Sequence, residues 1–168
     1  MNTTAFITDL ADRAEFSLNQ IRDFTPAEFN AHPQMHPNSA AWLLWHTGRE
    51  MDAQLAALSD HEEVWTAEGF QKRFGLGELG DSFGYGHSQD EARSIQIEDQ
   101  QGLTEYVRAT IAEVKKRADQ WEKKDWEEVI DTYNGEDITR AVRVTSLLID
   151  AIEHLAQVNY IAGCKDFG

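Results

Sequence analysis

Cysteine is almost missing from this sequence: Cys164 is the single one in 168 residues. One thiol excludes an internal disulfide and any zinc site built from clustered cysteines. It lies just past the last helical stretch with no histidine beside it in sequence, so it reads as a small packed residue rather than a nucleophile. Basic residues are also scarce, 15 against 30 acidic, giving a formal charge of −15. Such a surface repels phosphate backbones and anionic lipid, so neither nucleic acid nor a membrane surface is an expected partner. No apolar run approaches the roughly 18 residues of a membrane span, and the opening MNTTAFITDLADR lacks a basic stretch followed by an apolar core. The expectation is a cytoplasmic protein. The length suits one domain with a real core, expected over residues 1–168.

What is present is helical. Thr3 or Thr4 can cap a first helix running to about Asp23, with Phe6, Leu10, Ala14, Leu18 and Ile21 on its inner face. Thr25-Pro26-Ala27-Glu28 has the reciprocal capping pattern of a short helix, and His32-Pro33 and His36-Pro37 break the chain after it. Asn38 or Ser39 opens a second helix ending near Leu58, where Ala53 and Ala57 leave room for a neighbour. A long connection spans 59–87, with a helical piece around 67–73 and the glycine-rich end GLGELGDSFGYGH; a connection this long is usually a lid or a disordered segment.

Ser88 to Glu91 offers another capping box, and a long helix follows from about Asp99 to Trp121. A helical turn near 125–130 and an irregular DTYNGEDI lead to Thr139, the expected cap of the last helix, which Gly163 is placed to end. No strand-like alternation lasts beyond three or four residues. The expected fold is an all-α four-helix bundle with long connections and short extra helices.

The chemistry concentrates on two of these helices. Asp150 and His154 stand four apart, so both fall on one face of the last helix, with Gln157 on the same stripe. His46 lies in the middle of the second helix in a similarly apolar context. Facing helices of a bundle build metal sites from such inward side chains, so His46, Asp150 and His154 are the candidate ligands. The plain alternative is a solvent-facing strip on a buried helix, which also accounts for Arg143, Ser146 and Glu153. Against it, no lysine interrupts residues 140–162, whereas the third helix carries a full solvated set.

Glu50, one turn from His46, and Gln157 are the candidate catalytic groups, as a base, a partner to a ligand, or a donor to bound water. Arg49, Tyr85 and His87 are the candidate cofactor- or substrate-binding groups. Surface exposure is the competing reading for Arg49, and Tyr85 and His87 are placed to serve a lid. His32, His36 and His61 read as exposed loop residues, and Trp42 and Trp45 as core or pocket wall.

The segments WLLWHTGREMDAQLAAL, EEVWTAEGFQKRFGLG, GYGHSQDE and IDAIEHLAQVNYIAG resemble the DinB/YfiT-like superfamily of metalloenzymes, in particular its actinobacterial branch related to mycothiol-dependent maleylpyruvate isomerase. The resemblance covers nearly the whole chain. It implies an up-down-down-up four-helix bundle whose metal is held by a histidine of the second helix and a pair four apart on the last, commonly His-x-x-x-His. His46 matches the first ligand and His154 the last, while Asp150 stands where a histidine is commonest and where the isomerase branch has glutamate.

Two histidines and a carboxylate suit zinc, and nickel, iron or manganese are also compatible with these ligand types. The resemblance implies a thiol S-transferase or isomerase that activates a low-molecular-weight thiol, mycothiol, toward a small electrophile, in a homodimer. A metal-dependent hydrolase and a non-catalytic ligand-binding or scaffold bundle are the rival readings.

Overall fold

The computed structural model describes residues 2–164. In chain order these form α1 (Thr3–Asn19), α2 (Pro26–Phe29), a 3-10 turn at Pro33–Met35, α3 (Ala40–Ser59), α4 (Val64–Ala67), α5 (Phe70–Phe74), α6 (Gly77–Asp81), α7 (Gln89–Ser94), α8 (Gln100–Gln120), α9 (Lys123–Trp126), β1 (Val129–Tyr133), β2 (Glu136–Thr139) and α10 (Arg140–Ala162). Helix dominates at 69%, in line with the all-α expectation in its coarse form. No helix among the described residues is long and apolar enough to cross a membrane.

The long helices begin where side chains can satisfy their free amides. Ser39 accepts from the Trp42 amide, Asp99 from Gly102 and Thr139 from Val142, each cap contributing about 1 kcal/mol. The first helix is capped by Asn2 rather than a threonine and stops at Asn19, short of the expected Asp23. Its inner face keeps the expected Ala14 and Leu18 but begins one residue later than expected, at Ile7 and Ala11 in place of Phe6 and Leu10. Ile7, Ala11, Ala14 and Leu18 are buried, while Phe6 is 39% exposed.

Packing runs in a closed circuit: α1 lies against α10, α10 against α3, α3 against α8, and α8 against α1. The interior is filled by Leu44, Trp45 and Leu55 of α3, Leu103, Val107 and Ile111 of α8, and Val144, Leu148 and Leu155 of α10, all essentially without solvent contact. Each such aliphatic side chain contributes roughly 1.5–3 kcal/mol by leaving water. α8 presses close on α3 at Gly48, where an added Cβ would stand 2.5 Å from the Tyr106 ring. Of the small residues expected on the His46 face, Ala53 is half-buried and Ala57 exposed.

Two stretches depart from expectation. DTYNGEDI is not irregular but belongs to an antiparallel hairpin, β1 with β2, turned by Asn134 and Gly135 at φ 53° and 83°. Those left-handed values are what a two-residue hairpin turn requires, and Asn-Gly supplies them. Thr139 ends β2 and caps α10, so the hairpin fixes where the last helix starts. The long connection after α3 is the second case. It holds three short helices and is fastened down by side chains of α3 itself. The Asp52 carboxylate accepts from the Val64 and Trp65 amides, both at 2.8 Å, and from the Tyr106 hydroxyl at 2.9 Å.

Candidate metal centre

His46 projects from the middle of α3, where helix spacing puts Glu50 one turn further on the same face. Asp150 and His154 project from α10, the helix packed against α3. The structure brings all four together: one ligand-capable atom from each lies within 4.8 Å of the others. His46 Nε2 is 3.0 Å from Glu50 Oε2, His154 Nε2 is 3.4 Å from Asp150 Oδ2, and the two imidazole centroids are 4.8 Å apart. Glu50, read from sequence as a neighbour of the ligands, is therefore a full member of the cluster.

Both imidazoles are held by the nitrogen that faces away from the cluster. His46 Nδ1–H donates to the Phe83 carbonyl, and His154 Nδ1–H donates to Gln157 Oε1 at 3.0 Å. A carbonyl oxygen can only accept, so each Nδ1 carries the proton in these bonds and each Nε2 can present a lone pair inward. Histidine ligands of metals are oriented by this kind of bond. Gln157 thus acts on His154, one of the uses open to it from sequence.

Charge is unevenly shared among the four. Burial and the adjoining Glu50 carboxylate push the Asp150 carboxyl up to about 7. Burial opposes ionisation of Glu50 too, but hydrogen bonds from His46 and Asp150 outweigh it and hold Glu50 below its ordinary value. For His46, burial favours the neutral ring, and bonds to Glu50 and Phe83 overcome this and raise its pKa. Burial wins at His154, which titrates lower than usual. Without an ion, the pairing with Glu50 favours a charged His46, and burial favours a protonated Asp150 and a neutral His154.

The donor set fits a divalent metal. Tetrahedral donors about 2.1 Å from zinc stand roughly 3.4 Å apart, the separation of His154 Nε2 from Asp150 Oδ2, and a ligand atom of His46 lies within 4.8 Å of both residues. Half-burial of Glu50, Asp150 and His154 leaves a side open for a further ligand.

The remaining candidates divide. Arg49 is neither exposed nor part of the cluster. It is 1% exposed, and its guanidinium donates to the Ser82 and Asp81 carbonyls, to Glu63 and to the Tyr106 hydroxyl. Its contribution is to the segment it grips, because Phe83 follows directly and supplies the carbonyl that holds His46. Gly84 comes next at φ +87°, where an added Cβ would meet His46 Nδ1 at 3.0 Å and the Trp45 and Trp42 rings at 3.0 and 3.1 Å. His46 also stacks on Trp42, with centroids 4.6 Å apart.

His87 packs on Trp45 and is committed at both nitrogens, accepting from Trp42 Nε1 at 3.4 Å and donating to Ser82 Oγ at 2.9 Å. Tyr85 is 85% exposed. Both line a cavity of about 270 Å³ that reaches His46, so the glycine-rich segment sits beside the centre as a wall. His36 is exposed as expected, whereas His61 is half-buried near Glu113. Cys164 is partly buried, its thiol 3.6 Å from the Tyr160 carbonyl.

Sequence reasoning missed Phe83 and Gly84. The only available signal was the glycine itself, since a backbone carbonyl acts independently of residue type.

No family model matches the chain, and no curated protein does. Among solved structures, a conserved protein from Enterococcus faecalis matches with a TM-score of 0.86 and 30% identity, over 96% of each chain. With that identity sustained over nearly the full length of both, the chain belongs to the family of this Enterococcus faecalis protein.

Proposed function

We propose that this chain is a DinB-like four-helix bundle enzyme that holds one divalent metal through His46, Asp150 and His154 and activates a low-molecular-weight thiol toward a small electrophile. One observation carries the metal reading: two histidines on facing helices, each tied at Nδ1 to an oxygen acceptor, direct Nε2 toward the same pair of carboxyl groups. Zinc suits the set best, with nickel, iron and manganese as the other fits to these ligand types. A bound ion supplies Lewis acidity that lowers the pKa of a thiol or a water beside it.

The chain's own groups do the rest. Phe83 and Gln157 keep the imidazoles aimed. Asp150 would hold the ion as a carboxylate, its proton released to solvent, and Glu50 is then the carboxylate placed to take a thiol's proton. Mycothiol as the thiol, the homodimer and the cytoplasmic setting rest on the sequence reading.

The test is a conjugation assay with zinc-loaded protein, mycothiol or cysteine, and the uncharged electrophile monochlorobimane. Thiol conjugation should exceed the protein-free rate, and Glu50→Gln should lower it by about 100-fold or more, the usual scale for losing a general base. Ester hydrolysis that needs no thiol would point to a hydrolase, and inactivity of a metal-loaded protein toward both would favour a ligand-binding bundle.

A further inference from the structure

A groove of about 660 Å³ opens on the His154 side of the centre, between the segment leading into α3 and the last turns of α10. That volume suits a small organic molecule. Leu43, Ala156, Tyr160 and Ile161 make its apolar walls, His36 and Asn38 also line it, and His154 and Gln157 are its polar edge toward the cluster. Among the described residues, neither this groove nor the smaller cavity on the His46 side is lined by a lysine or an arginine. Arg49, the guanidinium nearest to His46 in sequence, is spent on backbone carbonyls, Glu63 and Tyr106. The groove instead includes Glu153, and the chain as a whole carries −15.

We infer that the groove seats an uncharged, largely apolar substrate of the metal centre, with its polar end at His154 and Gln157. This inference rests on the metal reading above. With the charge of a divalent ion balanced by the Glu50 and Asp150 carboxylates, a carboxylate or phosphate in the groove would lose hydration beside Glu153 without meeting a lysine or an arginine, and would approach against the field of the protein. An apolar ring or chain gains from leaving water against Leu43, Ala156 and Ile161, and needs only one polar atom to find the edge. The selection is therefore by charge as much as by shape.

Two probes of equal ring size test it: benzyl alcohol and benzoate, titrated into ¹⁵N-labelled protein both metal-free and zinc-loaded, with Ala156→Trp alongside the parent. Ala156 is exposed on α10, so the larger side chain can fill the groove without entering the core. Benzyl alcohol should shift amides within 153–161 of the metal-free protein and bind at least tenfold more tightly than benzoate. Ala156→Trp should weaken it at least tenfold while zinc per chain stays at the parent's value.

Benzoate binding the metal-free protein as tightly as benzyl alcohol would overturn the inference, as would no shift with either probe or unchanged binding in Ala156→Trp. Failure of zinc to load while benzyl alcohol still titrates would contradict the metal reading and leave the charge preference of the groove standing.

Discussion

The two helices that meet at the candidate centre hold their side chains by different means. On α3, His46 stacks on Trp42 one turn back and is otherwise fixed by a distant part of the chain: it donates to the Phe83 carbonyl and lies under Gly84, in a segment that Arg49 grips. On α10, the cluster contacts are local. His154 is held by Gln157 three residues on and faces Asp150 four residues back, and the Asp150 side chain is 36% exposed. One half of the centre is part of the core, and the other is a helix face that follows from spacing alone. The α3 half should therefore be preset and costly to alter, while the α10 half adjusts to an ion and can be altered with little effect on folding.

The largest expected effect comes from the α3 side. Arg49→Leu leaves Asp52 and Glu63 without their cation in a buried setting, and should cost about 3–5 kcal/mol in a urea unfolding series. Gly84→Ala is next: strain at φ +87° and the crowding of His46 should cost about 1–3 kcal/mol and weaken zinc binding with it. On the α10 side the two effects should separate. Gln157→Leu should lower zinc affinity about 10–100-fold in a chelator competition, yet shift stability by less than about 0.5 kcal/mol. A stability loss at Gln157 as large as that at Arg49 would erase the distinction between the halves.

The remaining effects are those of pH. The Asp150 carboxyl and the His46 ring both titrate above their ordinary values and must lose protons to become ligands, so zinc affinity should rise with pH through about 7. For the metal-free protein the sign is also set. A folded-state pKa raised from 3.8 to about 7 means the folded chain binds the extra proton across that window. The contribution is complete below the lower value and is lost as pH rises through about 7. Melting curves of metal-free protein across that window should show this slope, and Asp150→Asn should flatten it.

How much was legible in the sequence follows the same division. The starts of α3, α8 and α10 are written in Ser39, Asp99 and Thr139, because a cap is a local bond to an amide three residues away. The Asp150 and His154 pairing is likewise a matter of helix period. Where distant packing decides, the sequence is less explicit. Phe6 and Ile7 both fit an apolar face of α1, and tertiary contacts select Ile7. The hairpin residues are almost all exposed, so no apolar alternation announces them, although Asn134-Gly135 marks the turn. Arg49 shows no sign in one dimension that its partners are carbonyls thirty residues ahead. Phe83 holds His46 through a backbone atom that every residue has.

The central claim is that His46, Asp150 and His154 hold a divalent metal, and metal content tests it most directly. Elemental analysis of protein purified without an affinity tag, next to His46→Ala and His154→Ala, should find close to one equivalent of a divalent metal in the parent and almost none in either variant. A parent that carries no metal and takes up neither zinc, iron, nickel nor manganese, or variants that retain the parent's content, would contradict the account.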